Sequence, residues 1–162
     1  MLIIRPATLE DLDAITEIYN DAILNTVATF DTETKTLEEQ KVWFANHVPK
    51  YPILVAEQYG LVVGWASLSK WSEKLAYSGT TEGSLYVKKE YRRQGIGKRL
   101  LEEIVQEGKR ASFHSVMARI AEGGDASIHI CESQGFEHVG VMKEAGRKFG
   151  KLLNVHLMQK ML

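Results

Sequence analysis

A strand followed by a glycine turn and a helix, in SLYVKKEYRRQGIGKRLL, constrains the fold of this chain more than any other stretch. Glu82 to Val87 alternates polar and apolar residues, as a half-buried strand does. Gly95 and Gly97 then interrupt the chain, and apolar residues at helical spacing follow as far as about Arg110. A helix placed directly after a strand favours an α/β arrangement.

Two further helices and a hairpin are marked by local signals. Thr8 with Asp11 and Thr36 with Glu39 each have the spacing of a helix cap and precede apolar residues. Two apolar runs meet at the dipeptide Tyr59-Gly60, which predicts a β-hairpin with a short turn. The polar segment between the two helices, NTVATFDTET, is predicted to be a loop that covers a site.

The remaining predicted elements are strands over 2–4, 113–120 and 136–142, a short helix over 126–133, and an alternating C-terminal strand. The last two strands are expected to pair in antiparallel fashion. This order of elements predicts a mixed α/β sheet, different from a regular doubly wound one.

Composition narrows the classes of function. The chain has 162 residues, and acidic and basic residues nearly cancel at a formal charge of −1. We therefore expect one domain over 1–162 and neither a nucleic-acid nor a membrane-surface protein. Cys131 is the single cysteine, and no Cys/His cluster has zinc spacing, so we expect a metal-free protein. No secretion signal or spanning segment is recognisable, which favours the cytoplasm.

The glycine turn is suited to a phosphate ligand. Glycines let the backbone approach a ligand closely, and the first amides of a helix are unpaired donors at the positive end of its dipole. Six positive residues lie in the twelve-residue stretch that contains this turn: Lys88, Lys89, Arg92, Arg93, Lys98 and Arg99. The alternative is an ordinary turn beside a solvated helix face.

Two familiar phosphate loops do not fit. A Walker-type loop needs four residues between its glycines, and here a single residue separates them. A dinucleotide-binding turn needs a third glycine, and Leu100 stands at that position.

Residues 92 to 97, Arg-Arg-Gln-Gly-Ile-Gly, match the pattern Gln/Arg-x-x-Gly-x-Gly/Ala at every fixed position. This loop resembles the pyrophosphate loop of the GCN5-related N-acetyltransferases (GNAT). The stretches IRPATLEDLDAITEIYNDAI, NTVATFDTET, YPILVA, TTEGSLYV, ESQGF and GRKFGKLLNVHLMQ are similar, in order, to the phosphinothricin and methionine sulfoximine branch of that superfamily.

The resemblance implies a mostly antiparallel central sheet of six to seven strands with about four helices, opened in the middle for acetyl-CoA. It implies acetyl-CoA as cosubstrate. The cofactor-binding residues that it implies are Leu85, Tyr86, Val87, Arg92, Arg93, Gln94, Gly95, Ile96, Gly97 and Lys98.

Catalytic roles carry over residue by residue. Glu82 corresponds to the general base that takes the proton of the acceptor amine, and the backbone N–H of Leu85 to the donor that polarises the thioester carbonyl. Cys131 stands where the branch commonly has the acid that protonates the thiolate, normally His. The alternatives are that Cys131 only packs, with water as the acid, or that it forms an acetyl-cysteine.

The acceptor site implied by the branch includes Phe30, Leu75, Ala76 and Tyr77. Ser78 replaces an Arg suited to an anionic acceptor, and Gly124 replaces an Asn that contacts pantetheine. A small amino-acid analogue of the phosphinothricin, methionine sulfoximine or methionine sulfone type is the expected acceptor.

Two other classes of function stay open at the level of sequence. The departures at 78, 124 and 131 fit a non-catalytic acyl-CoA sensor, and the acceptor could be another amine such as a polyamine, an aminoglycoside or a peptide. A nucleic-acid site is disfavoured, since no aromatic series accompanies the basic cluster. The branch resemblance also implies a possible homodimer.

Overall fold

The computed structural model describes residues 1–162. The strands are β1 (Leu2–Pro6), β2 (Ile53–Gln58), β3 (Leu61–Lys70), β4 (Thr80–Val87), β5 (Ser115–Ala121), β6 (Glu137–Lys148) and β7 (Lys151–Met161). The helices are α1 (Leu12–Asn25), α2 (Leu37–His47), α3 (Ile96–Arg110) and α4 (Asp125–Ser133).

All seven strands form one sheet in the order β1-β2-β3-β4-β5-β7-β6. Every neighbouring pair is antiparallel except β4 and β5, which run parallel and are connected through α3. A parallel pair needs such a crossover, because a short turn cannot bring the chain back to the same end of the sheet. The expected mixed, mostly antiparallel sheet with four helices is confirmed.

The helix caps and the hairpin turn that the sequence predicts are present in the structure. The Thr36 hydroxyl accepts a hydrogen bond from the Glu39 amide at 3.1 Å, and the Glu39 carboxylate accepts one from the Thr36 amide at 3.2 Å. Thr8 caps a single 3-10 turn that leads directly into α1. The Tyr59-Gly60 turn has positive φ at both residues, as a two-residue type I′ hairpin turn requires.

The sheet is covered on both faces. On one side, which we call the α3 face, Leu100 and Ile104 of α3 pack with Leu68 of the sheet in the larger core. On the other, the α1 face, α1 and α2 pack against Trp65 and neighbouring residues in a smaller core. None of the helices is both long and apolar enough to cross a bilayer.

Alternation along β4 divides its side chains between these faces. Leu85 and Val87 pack against the core of the α3 face, and Tyr86 packs against that of the α1 face. Glu82 and Ser84 share the side of Tyr86, since side chains alternate along a strand.

Some boundaries differ from the sequence prediction. The strand predicted from position 113 begins at Ser115, because Phe113 is buried and stacks on Tyr51 with ring centroids 5.3 Å apart. The strand predicted to end at Met142 continues to Lys148, since β7 pairs with its polar second half. Hydrophobic patterning did not mark that half, because most of its side chains are exposed.

Candidate active site

Strands β4 and β5 separate in the middle of the sheet. They pair only from Thr80 to Glu82 on β4, whereas β4 stays paired with β3 as far as Val87. Strand β5 meanwhile stays paired with β7 as far as Ala121. The residues of β4 after Glu82 therefore face a gap instead of a neighbouring strand. Leu85, Tyr86 and Val87, the sequence-predicted cofactor strand, all lie along this gap.

The glycine turn lies at the end of the gap, because it follows β4 directly and α3 starts from it. Gly95 precedes α3 with φ of +81°, a left-handed conformation that favours glycine, and no heavy atom lies within 4 Å of where its Cβ would be. Ile96 is buried in the core and anchors the turn. Arg92 donates from Nε to the Val87 carbonyl at 3.0 Å, which connects the turn to the end of β4.

The start of α3 packs closely on β4 and α4. A Cβ at Gly97 would lie 3.7 Å from the Leu85 side chain and 3.4 Å from Ile130 of α4. The side chains of Arg93, Gln94 and Lys98 are exposed around this helix start. Free helix amides, open space and positive charge together fit the phosphates of a nucleotide cosubstrate. The structure thus brings the predicted loop residues to the same place as the gap.

Glu82 lies where β4 leaves β5, on the α1 face. Its carboxylate accepts two hydrogen bonds from Arg119 of β5, from Nε at 2.7 Å and from Nη2 at 2.5 Å. The Arg119 guanidinium lies over the ring of Trp71, 4.9 Å from its centroid. The hydrogen bond to Glu82 raises the pKa of Arg119 above its ordinary value.

Arg119 is a site residue that sequence reasoning missed. The register pairs Met117 with Glu82, so Arg119 is two residues further along β5 and on the same face. A signal for it existed in the sequence, because Arg119 is the one charged residue inside the otherwise apolar run from Val116 to Ala121.

Cys131 lies on α4 inside the core of the α3 face and is almost fully buried. Burial raises the pKa of its thiol to about 11. A proton donor needs a pKa near the working pH and access to the group that it protonates. The position of Cys131 therefore favours a packing role over proton donation.

A cavity of about 380 Å³ opens on the α1 face beside Ser84. It is lined by Tyr19, Asp31, Lys35, Glu39, Gln40, Trp43, Trp65, Ser67, Ser69, Ser84 and Tyr86. Ser69 pairs directly with Glu82 across β3 and β4, so the cavity and Glu82 are neighbours on this face. Helices α1 and α2 supply much of the lining. The sequence analysis did not identify the lining residues of these two helices as part of a site.

The hydrogen bonds of the cavity wall order the loop between α1 and α2. Tyr19 donates to the Asp31 carboxylate, and its hydroxyl lies 2.9 Å from that of Thr29. Burial raises the pKa of both Tyr19 and Tyr86 above the ordinary value, so both phenols are uncharged near neutral pH. Tyr19 of α1 thus holds this loop against the cavity through Thr29 and Asp31.

The predicted acceptor residues have different locations. Phe30 lies on the α1–α2 loop and packs on Gly146 of β6, where a Cβ would overlap the ring. Leu75, Ala76 and Tyr77 are exposed in a single 3-10 turn and do not line the cavity. Phe30 thus lies on the loop that borders the cavity without lining the cavity, and the other three residues lie on the surface of the chain.

Comparison with known proteins agrees with this geometry. Residues 4–157 match the model of the acetyltransferase (GNAT) domain family. The chain is 36% identical over 160 residues to the L-amino acid N-acyltransferase MnaT of Escherichia coli, covering 98% of this chain and 93% of that protein. It is 33% identical to the phosphinothricin N-acetyltransferase of Streptomyces coelicolor, covering 94% and 91%.

Solved structures show the same relationship. An acetyltransferase of Salmonella typhimurium, solved with acetyl-CoA, superposes with a TM-score of 0.98 at 35% identity, over 100% of this chain and 94% of that one. A phosphinothricin acetyltransferase of Sinorhizobium meliloti in complex with acetyl-CoA gives a TM-score of 0.96 at 36% identity, over 99% and 88%. The sequence predictions of the superfamily, of its fold and of an N-acetyltransferase enzyme that uses acetyl-CoA are confirmed. This chain belongs to the GNAT family of acetyltransferases.

Proposed function

We propose that this protein transfers an acetyl group from acetyl-CoA to the primary amine of a small amino-acid-like acceptor. Phosphinothricin, methionine sulfoximine and methionine sulfone represent the acceptor class. The observation that carries the proposal is the position of Glu82, at the point where β4 and β5 separate and beside the cavity of the α1 face. A carboxylate there lies between the gap on one side and the cavity on the other.

Each part of the site has a distinct task. Acetyl-CoA supplies the thioester carbonyl that an amine attacks. The free amides and the positive residues of the glycine turn bind its phosphates, and the backbone N–H of Leu85, on the edge of the gap, polarises the thioester carbonyl. Glu82 accepts the proton that the ammonium group must lose before it becomes a nucleophile.

The amine reacts directly in a ternary complex on this proposal. An acetyl-enzyme would need an exposed and activated nucleophile, whereas the one cysteine is buried and its pKa is raised. We propose that water protonates the departing thiolate, with Cys131 packed in the core as a structural residue.

The cavity favours a small acceptor with a polar side chain. Its volume of about 380 Å³ is at the small end of the range for ligand sites. Trp65 lines this cavity, and its indole N–H is buried without a hydrogen-bond partner. A sulfone, sulfoximine or phosphinate oxygen would satisfy that donor, because such oxygens are hydrogen-bond acceptors. Relatives named for these acceptors, at 33 to 38% identity, support the same class.

We also propose a homodimer in the cytoplasm. Strand β6 is an edge strand of twelve residues, and its Val139 and Val141 are exposed. An unpaired edge of this kind is suited to contact with a second copy. Light scattering of the purified protein would measure its oligomeric state directly.

The proposed location in the cytoplasm rests on Cys131, because a free thiol is typical of a reducing compartment.

The test is the acetylation rate of Glu82→Gln. Thiol release from acetyl-CoA is first measured against phosphinothricin, methionine sulfoximine and methionine sulfone, with polyamines, aminoglycosides and peptides as competing classes. In Glu82→Gln, kcat for the preferred acceptor should fall by about 10²- to 10⁴-fold, the usual contribution of a general base. The Kd of acetyl-CoA, measured by calorimetry, should stay within about twofold, because the glycine turn is unchanged.

Glu57→Gln is the matched control, since Glu57 is another strand carboxylate that is paired with an arginine, Arg5, at 3.0 Å. This variant should keep the wild-type turnover. Wild-type turnover in Glu82→Gln would remove Glu82 as the base. Tight binding of acetyl-CoA with no acceptor acetylated by the wild type would favour the acyl-CoA sensor instead.

A further inference from the structure

We propose that Arg119 binds the carboxylate of the acceptor, so that Glu82 and Arg119 together recognise an α-amino acid as a zwitterion. The ammonium group of the acceptor contacts Glu82, and the carboxylate of the acceptor contacts Arg119. This inference rests on the proposed function, and it assigns a specificity-determining residue to that reaction.

The first argument is the hydrogen-bonding capacity of Arg119. A guanidinium carries five N–H donors, and only Nε and one N–H of Nη2 are used by Glu82. The edge that carries Nη1 and the second N–H of Nη2 is free, and 48% of the side chain is exposed. That edge has the fork geometry that a second carboxylate accepts in bidentate fashion.

The second argument is the fixed orientation of the guanidinium. Trp71 lies against its face, and Glu82 holds one of its edges. The indole ring covers one face of the guanidinium and leaves the remaining edge open. These contacts orient the guanidinium before any ligand binds. A lysine would replace it only in part, since an ammonium group is a point charge without a fork.

The third argument is charge complementarity. In an α-amino acid the ammonium and carboxylate groups are attached to the same carbon atom, so they need two opposite charges side by side. Glu82 and Arg119 provide such a pair, next to the cavity that would accept the side chain. The existing bidentate pair can persist, because the ligand carboxylate uses the other edge of the guanidinium.

Two lysines also lie on this side of the protein, and neither contacts Glu82. Lys35 lines the cavity but lies 3.9 Å from the Asp31 carboxylate. Lys148 is buried and donates to the Thr29 carbonyl at 2.7 Å. Arg119 therefore remains as the cation that contacts Glu82 and keeps free donors.

The experiment compares two acceptors in two proteins. Methionine sulfone and its α-carboxamide differ only at the group that Arg119 would bind, and kcat/KM is measured for each with the wild type and with Arg119→Gln. The acid preference, defined as the ratio of kcat/KM for the acid to that for the carboxamide, should be about 10- to 100-fold smaller in Arg119→Gln than in the wild type, which is typical of a charged hydrogen-bonded pair. The loss should fall mainly on KM for the acid. Taking the ratio of the two acceptors in each protein cancels the difference in their amine basicity.

Two further variants sharpen the result. Arg119→Lys should recover part of the preference, since it restores the charge without the fork. Arg110→Gln removes another arginine that is paired with a glutamate, Glu107 on the surface of α3, and should leave the preference unchanged.

Equal loss for acid and carboxamide in Arg119→Gln would overturn the inference, because Arg119 would then act only by holding Glu82. An unchanged preference would overturn it as well. The proposed function fails separately if the wild type acetylates neither compound and calorimetry in the presence of CoA detects no binding of methionine sulfone. Acetylation of both compounds by the wild type, with the same ratio of kcat/KM in Arg119→Gln, would retain the acetyltransferase and remove the carboxylate site.

Discussion

Replacement of Cys131 tests whether the buried thiol takes part in the reaction. The pKa of this thiol is about 11, whereas an ordinary thiol such as the leaving group has a pKa of about 8.5. Proton transfer from Cys131 to that thiolate is therefore uphill by about 3 kcal/mol, or roughly 300-fold, at 1.36 kcal/mol per pKa unit. The leaving group can instead depart as the thiolate and take its proton from buffered solvent, because neutral pH lies below the pKa of an ordinary thiol. We expect Cys131→Ala to keep kcat within about threefold of the wild type.

The substitution should act on stability instead. Removal of a buried sulfur from the core costs about 1 kcal/mol, which for 162 residues corresponds to a decrease in Tm of about 2–4 °C. Loss of thioester absorbance gives kcat, and scanning calorimetry gives Tm. In the wild type, alkylation of the thiol by iodoacetamide at pH 8 should be at least about 100-fold slower than that of free cysteine, since the thiolate is the nucleophile.

A decrease in kcat of about 10²-fold or more in Cys131→Ala, with normal acetyl-CoA affinity, would refute this reasoning. Cys131→Ser would then separate acid catalysis from packing. A hydroxyl is a weaker acid than the thiol but has nearly its size, so a lost acid would remain lost in the serine variant. Recovery of kcat in Cys131→Ser would instead show that the core around α4 needs only the volume.

Three other substitutions test the cofactor turn, the core and a buried histidine. Gly95→Asp should weaken acetyl-CoA binding at least about tenfold more than Gly95→Asn, since both side chains tolerate positive φ but only Asp adds charge beside the phosphates; equal affinities by calorimetry would argue against phosphate at this turn. Leu100→Ala, at a fully buried position of α3, should cost about 2–5 kcal/mol in urea unfolding. Burial lowers the pKa of His47, so the unfolded chain binds its proton first, and the free energy of unfolding should decrease as pH falls below about 6.5. His47→Gln should flatten that dependence, and an unchanged slope would exclude His47 as its source.

Local features were predictable because a few neighbouring residues determine them. The cap at Thr36, the turn at Tyr59-Gly60 and the glycines at 95 and 97 each occur within a few residues of sequence. Their geometry follows from backbone donors and from which residues tolerate positive φ. The family resemblance then supplied the mostly antiparallel sheet that opens in the middle, which local patterns alone did not contain.

The acceptor side was less predictable, because it depends on contacts between distant segments. Arg119 and Glu82 are 37 positions apart, and only the register of the parallel pair brings them together. The cavity combines α1 and α2 with β3 and β4. No pattern within one segment contains such a register, since it is set by packing across the whole sheet.

The separation of β4 from β5 explains why the proposed base and the proposed cofactor edge occupy adjacent stretches of one strand. Side chains of β4 that point to the α3 face, Leu85 and Val87, pack in the core and hold the strand in place while its backbone faces the gap. Glu82 points to the opposite face and is the last residue of β4 that pairs with β5. A slip of one residue in the register of β4 would exchange the two faces, placing the Glu82 carboxylate in the apolar core and Leu85 on the acceptor side. The burial of an unpaired carboxylate is costly, so the requirements of folding and of the proposed reaction select the same register.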